Sequence, residues 1–189
     1  MAKENDNTRA VRGYTVVWNG MMAQQSDAPR LLPGVTPEMM HWWSMNRNKE
    51  RYQMVHPGHI EFKTVYKPAN GDVGTRFYHE EMHGKYMEKT HFLVEGISDN
   101  TFDICIKSRG FTRRTHLTFM PGPGGTYMSS TTIIGSDNPY WGRLWNWFTR
   151  KFLYTADYRA ACAEHGKLEF TNTPQLLPKM FAEATGKKL

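Results

Sequence analysis

Cysteine is nearly absent from this chain: Cys105 and Cys162 are the only two among 189 residues. That count excludes a disulfide framework and a cysteine-rich zinc ribbon. No apolar run approaches the length of a membrane span. The opening Met1-Ala2-Lys3-Glu4-Asn5-Asp6 lacks the apolar core of a signal peptide. A soluble, cytoplasmic protein without stable membrane association is therefore expected. Basic residues are in excess, with a net charge of +6, but Arg113-Arg114, Arg150-Lys151 and Lys187-Lys188 are scattered. None is interleaved with aromatics as a base-stacking platform requires, so no nucleic-acid partner is expected.

Aromatic residues, in contrast, are plentiful: six Trp, nine Tyr and ten Phe within 39% hydrophobic content. The length suits one domain with a sizeable core, and the composition suits an interior that receives an aromatic or apolar ligand. Residues 1–35 read as an extended N-terminal arm, and 36–189 as a single domain. Thr36-Pro37-Glu38 opens a helix, with Thr as N-cap and Pro at the first helical position, ending near Asn46. After His56-Pro57-Gly58-His59 the period changes to that of strands. Thr75 to Ile97, Thr101 to Lys107, Arg113 to Met120 and Tyr127 to Ile134 follow, punctuated by Pro121-Gly122-Pro123-Gly124-Gly125.

From Tyr140 the pattern is helical. Trp141, Leu144, Trp145, Phe148 and Phe152 form an apolar stripe that predicts core packing, with the helix running on to Glu169 and a short one over 175–184. This is an α+β pattern. A curved antiparallel sheet gripping a long C-terminal helix, with a cavity between them, buries both faces. Trp42, Trp43, Tyr127, Trp141 and Trp145 are candidate pocket walls or, equally, ordinary core residues.

The chemistry-bearing residues centre on His165-x3-Glu169. Positions i and i+4 share one helical face, so an imidazole and a carboxylate there can grip one divalent metal. His56 and His59 lie in a tight turn before a strand, where they are either ligands or surface residues. In Met87 to Glu95, alternate residues Met87, Lys89, His91, Leu93 and Glu95 share one strand face. His91 and Glu95 therefore face either the interior or solvent together. His116 reads as a satisfied histidine or a partner of such a site. His79-Glu80-Glu81-Met82-His83 matches H-E-x-x-H, the zinc-protease pattern, whose chemistry needs a helix. Gly74 and Gly84 bracket a strand-like segment instead, so the match reads as coincidence in a charged hairpin.

Taken together, several motifs resemble the diacetylphloroglucinol hydrolase family, which includes phloretin hydrolase. They are Met40-His41-Trp42-Trp43, Arg51-Tyr52, His56-Pro57-Gly58-His59, Thr90-His91-Phe92-Leu93-Val94-Glu95-Gly96, His116, and His165-x3-Glu169 followed by Leu177-Pro178. The resemblance implies a Bet v 1-like (START-like) helix-grip fold. It also implies a zinc-dependent hydrolase that cleaves the carbon–carbon bond between an acyl group and a phenolic, phloroglucinol-type ring. It assigns the Zn²⁺ ligands to His59, Glu95, His165 and Glu169, an active-site histidine to His116, and a substrate hydrogen bond to Tyr52. The family's turn is one residue longer than His56-Pro57-Gly58-His59, which leaves His56 as the alternative ligand. The partner implied is a small acyl phenol, and a homodimer is the base-rate expectation for a soluble enzyme. The alternative is a metal-free helix-grip protein that binds, cyclises or dehydrates an apolar aromatic or polyketide ligand.

Overall fold

The computed structural model describes residues 9–11, 14–19, 22–108, 111–136 and 140–187. Among them, nine strands form one antiparallel sheet: β1 (Arg9–Val11), β2 (Tyr14–Asn19), β3 (Met22–Pro33), β4 (His59–Tyr66), β5 (Arg76–His83), β6 (Tyr86–Ile97), β7 (Thr101–Ser108), β8 (Phe111–Gly122) and β9 (Gly125–Gly135). Their order is β1-β2-β3-β9-β8-β7-β6-β5-β4. The segment read as an arm thus supplies three strands, with β3 paired to β9 along most of its length. The polar start, residues 1–8, lies outside the described residues.

Helix α1 (Pro37–Asn46) begins as the sequence predicts, with the Thr36 hydroxyl accepting from the Met39 amide at 3.2 Å. A further helix, α2 (Lys49–Val55), follows at once, capped by the Asn48 side chain accepting from the Arg51 amide at 2.9 Å. Near the C-terminus come α3 (Gly142–Phe148), a π-helical turn over Thr149–Leu153, and α4 (Ala156–Thr185). Helix α4 runs unbroken through Pro174 and Pro178 where the sequence suggests two helices. Each proline forgoes a backbone hydrogen bond. Thr173, Leu177, Met180 and Phe181 are buried along the same stretch, so tertiary packing holds the helix through it.

The core lies between sheet and helices. Phe62, Phe77 and Phe92 meet with ring centroids 5.0–5.7 Å apart and are nearly inaccessible. Phe77→Ala is expected to cost roughly 3–5 kcal/mol, read from denaturant unfolding.

The aromatic stripe after Tyr140 is not core. Trp141 is 70% exposed, and Leu144, Trp145, Phe148 and Phe152 also face outward. The opposite side of α3 is buried, through Gly142 and Asn146. Asn146 docks it: its Oδ1 accepts from the Ser136 amide at 2.6 Å and its Nδ2 donates to the Ser136 carbonyl at 2.8 Å. The inward face of α3 is thus its small and polar one, against the hydrophobic pattern. Trp141, Trp145 and the partly exposed Tyr127 do not wall the cavity described below. No helix among the described residues is long and apolar enough to cross a membrane.

Candidate metal centre

The site forms where β4, β5 and α4 meet. A register shift between His59 and Glu61 breaks the two-residue alternation of β4, so His59 and Phe62, three apart, both point inward. A bulge does this by inserting one extra residue. It sets His59 directly across from Glu81 on β5. Gly58 permits the approach, since a Cβ there would lie 2.8 Å from the Met82 carbonyl oxygen and 2.9 Å from the His56 ring. Helix α4 is tied to the same turn by Asn172, whose Nδ2 donates to the Val55 carbonyl at 2.8 Å. One helical turn earlier, Glu169 and His165 face the turn together, as their spacing predicts.

The hydrogen bonding settles the tautomers. His59 Nδ1 lies 2.6 Å from the Tyr52 carbonyl, and His165 Nδ1 lies 3.0 Å from the Met82 carbonyl. A carbonyl only accepts, so both Nδ1 atoms carry protons and, in neutral rings, both Nε2 atoms present lone pairs. Those two Nε2 atoms face each other at 3.0 Å. Glu169 Oε1 stands 3.1 Å from His59 Nε2, and Glu81 Oε2 stands 3.7 Å from both imidazoles. Burial lowers the affinity of His165 for a proton. Four acceptors converging in this way repel one another unless a metal ion or a proton lies among them. Two imidazole nitrogens and two carboxylates suit Zn²⁺ or a similar divalent ion. Backbone carbonyls holding each Nδ1–H are the usual support of such ligands.

His56 is different. Its Nδ1 accepts the Gly58 amide at 2.8 Å, and its ring stacks on His165 at 3.7 Å. Burial and the two neighbouring imidazoles push its pKa down to about 4, so it is neutral at pH 7. With Nδ1 spent as an acceptor, Nε2 bears its proton, and the ring has no free lone pair to offer.

Glu81 is the centre's most elaborately held group. Tyr52 stacks on His59 at 3.5 Å and donates its hydroxyl to Glu81 Oε2 at 2.5 Å, while His83 Nε2 lies 2.9 Å from Oε1. Burial favours the neutral acid, but His79, His83 and Tyr52 outweigh it and hold the carboxyl well below its usual range. His83 also approaches the fully buried Glu88 at 3.3 Å. Burial opposes its charge, yet hydrogen bonds to Cys162, Glu81 and Glu88 push its pKa up to about 12. Glu88 in turn accepts from Arg113 Nη2 at 2.9 Å and from the Tyr158 hydroxyl at 2.5 Å. Every lone-pair direction of Glu88 that these donors use is closed to a second ion.

Two expectations are corrected. Glu95 lies on the outer face of β6, paired with Arg114 at 3.4 Å. Glu88, Thr90, Phe92 and Val94 are the inward residues, and the face shared by Met87, Lys89, His91 and Glu95 is the exposed one. A one-residue change of phase moves every side chain of a strand to the other face. His116 is likewise outward on β8, half exposed and 2.5 Å from Asp103. Tyr52 reaches the site, where its hydroxyl donates to Glu81 Oε2 and keeps its oxygen as an acceptor.

Glu81 is the candidate ligand hidden in the sequence. The H-E-x-x-H segment is a strand, as its context implies, and the zinc-protease Glu80 points outward. Its alternate residues Phe77, His79, Glu81 and His83 are all buried. Reading His-x-Glu-x-His with period two, anchored on Phe77, would have found them.

Beside the centre opens a cavity of about 200 Å³, walled by Leu32, Trp43, Phe102, Leu117, Phe119 and Met128. Glu169, 38% exposed, looks into it from the metal side, and Arg47 reaches it from the end of α1.

Comparison with known proteins agrees with this architecture. Ara h 8.0201 superposes with a TM-score of 0.59 at 11% identity, covering 84% of this chain and 99% of that one. TTHA0849 from Thermus thermophilus gives 0.57 at 14% identity, covering 84% and 98%. CV1439 from Chromobacterium violaceum gives 0.53 at 8%, covering 82% and 96%. These likenesses establish the Bet v 1-like fold and nothing about chemistry. No curated protein matches the chain. The DAPG hydrolase PhiG domain matches residues 1–117, a stretch that contains His56, His59 and Glu81 but stops short of His165 and Glu169. By that match the chain belongs to the diacetylphloroglucinol hydrolase (DAPG hydrolase PhiG domain) family.

Proposed function

We propose that this protein is a zinc-dependent hydrolase that cleaves the carbon–carbon bond between an acyl group and a phenolic ring. The observation that carries the reading is the pair of inward Nε2 lone pairs of His59 and His165, 3.0 Å apart, with two carboxylates beside them at the end of an apolar cavity. His59, His165, Glu169 and Glu81 are the ligands in this reading, with Glu81 in the role expected of Glu95. When bound there, Zn²⁺ supplies Lewis acidity at neutral pH.

The chain's own residues supply the rest. Tyr52 and His83 hold Glu81 in one orientation, and the Tyr52 and Met82 carbonyls hold the two imidazoles. The rings and aliphatic side chains of the cavity position a phenolic ring and exclude bulk water, which strengthens each polar contact within. His116 takes no part in this mechanism, since it lies on the far face of the sheet.

Elemental analysis of wild type beside His165→Ala and Glu169→Ala tests the reading. About one zinc per chain in wild type, lost in both variants, is expected, together with release of a carboxylic acid and the deacylated phenol from an acylphloroglucinol. Absence of metal from every sample, even after zinc is added back, would sink the hydrolase mechanism and leave a ligand-binding or cyclase-like cavity.

A further inference from the structure

Among the described residues Arg47 is the one cationic side chain that lines the cavity, and it feels Glu169 and Glu81 only at a distance, with no carboxylate in ion-pair contact. It leaves α1 as the C-cap residue, in extended backbone. Its guanidinium then lies over the rings of Phe62, Phe92 and Trp43, 4.9, 5.7 and 5.8 Å from their centroids. Among the described residues no carboxylate pairs with it and no acceptor takes a hydrogen bond from it; its Nε is buried and unsatisfied. Such a group is expensive to keep: an unpaired buried donor costs free energy, and more so when charged. Stacking on three rings offsets part of that cost and also holds the planar group in place.

The other charged group on the cavity wall is Glu169, which belongs to the metal centre. Two carboxylates, Glu81 and Glu169, balance one divalent ion. Behind them Glu88 pairs with Arg113, which leaves protonated His83 and the Arg47 guanidinium uncompensated, and of these Arg47 stands in a space walled by apolar side chains where an unscreened charge acts strongly. We propose that this cavity takes its ligand as an anion, an aromatic ring bearing an ionised oxygen, and that Arg47 is the residue that selects it. The inference rests on the metal-centre reading for its charge balance, and it narrows the substrate class to acyl phenols bound as phenolates.

Binding of ligands with no acyl bond to cleave tests this separately from catalysis. Isothermal titration of the zinc-loaded protein would use phloroglucinol, its neutral ether trimethoxybenzene, and trimethoxybenzoate. Phloroglucinol should bind at least about tenfold more tightly than the ether, with affinity that rises as the ligand ionises. Arg47→Met should abolish that preference and its pH dependence while leaving trimethoxybenzene binding unchanged. Arg47→Lys should retain part of it, and Arg47→Gln provides a second neutral variant if the methionine substitution impairs folding. Arg47-dependent binding of trimethoxybenzoate alone would uphold the anion site and overturn the acyl-phenol reading. A wild-type preference retained in the neutral variants, or equal binding of the ether and the anions, or no binding of any of the three, would overturn the inference.

Discussion

Glu81→Ala is expected to lower metal affinity by more than about a hundredfold and to abolish hydrolysis, while Glu95→Ala leaves both unchanged. Loss of a residue that merely supports a ligand typically weakens binding by about 10- to 100-fold, so loss of a ligand itself should exceed that. Glu81 stands 3.7 Å from His59 and His165, whereas Glu95 is on the opposite face of the sheet with Arg114. Glu81→Gln keeps the shape and the Tyr52 contact but removes the charge, and should show most of the loss. Competition with a chromogenic zinc chelator measures each affinity. If Glu95→Ala were the variant that lost metal, the inward face of β6 assigned here would be wrong. The same binding stabilises the fold: with metal a thousandfold above its dissociation constant, chelation should remove about 4 kcal/mol from wild type and little from Glu81→Ala.

Arg113→Met is expected to destabilise the protein by roughly 3–5 kcal/mol at neutral pH, because it leaves a buried carboxylate without its main counter-charge. Glu88 is fully buried, and Arg113 Nη2 lies 2.9 Å from it. Burial acts to raise the Glu88 pKa; Arg113, then His83 and Tyr158, outweigh it and hold it far below the usual carboxylate range. A depressed folded-state pKa contributes stability that is complete above the unfolded-state value and disappears as pH falls toward the folded one. Removing Arg113 weakens that depression. Acid unfolding of Arg113→Met should therefore begin at higher pH than in wild type, and urea titrations between pH 3 and pH 7, on the order of the ordinary carboxylate range upward, would display it. Equal acid midpoints would show that Arg113 is not what keeps Glu88 ionised.

The two variants probe one connected structure. Arg113 holds Glu88, Glu88 and His83 meet at 3.3 Å, and His83 lies 2.9 Å from Glu81. The members of a buried chain of this kind are energetically coupled, so loss of one is felt by the others. Arg113→Met should accordingly weaken metal binding as well, though less than Glu81→Ala, since it acts only through Glu81.

Local pattern determined much of this protein without tertiary help. Thr36 and Pro37 start α1 because capping and the fixed proline φ are properties of adjacent residues. His165 and Glu169 share a face because helix geometry alone puts i and i+4 together. The α+β succession of strands and a final helix, and hence the helix-grip architecture, followed from hydrophobic period in the same way.

What the tertiary structure decided was which face of each element turns inward. Period two makes Glu88 and Glu95 opposite in phase on β6, but alternation has no sign until the strand is set against a partner. The bulge after His59 has no local signature strong enough to announce it, yet it brings His59 opposite Glu81. The stripe from Trp141 to Phe152 reads as core by period, yet it faces solvent while Asn146, on the opposite side of α3, exchanges two hydrogen bonds with the Ser136 backbone. Residues near in sequence interact through geometry the chain carries with it. The candidate metal centre joins His59, Glu81 and His165 across three elements, and only the packing of α4 against the edge of the sheet brings them together.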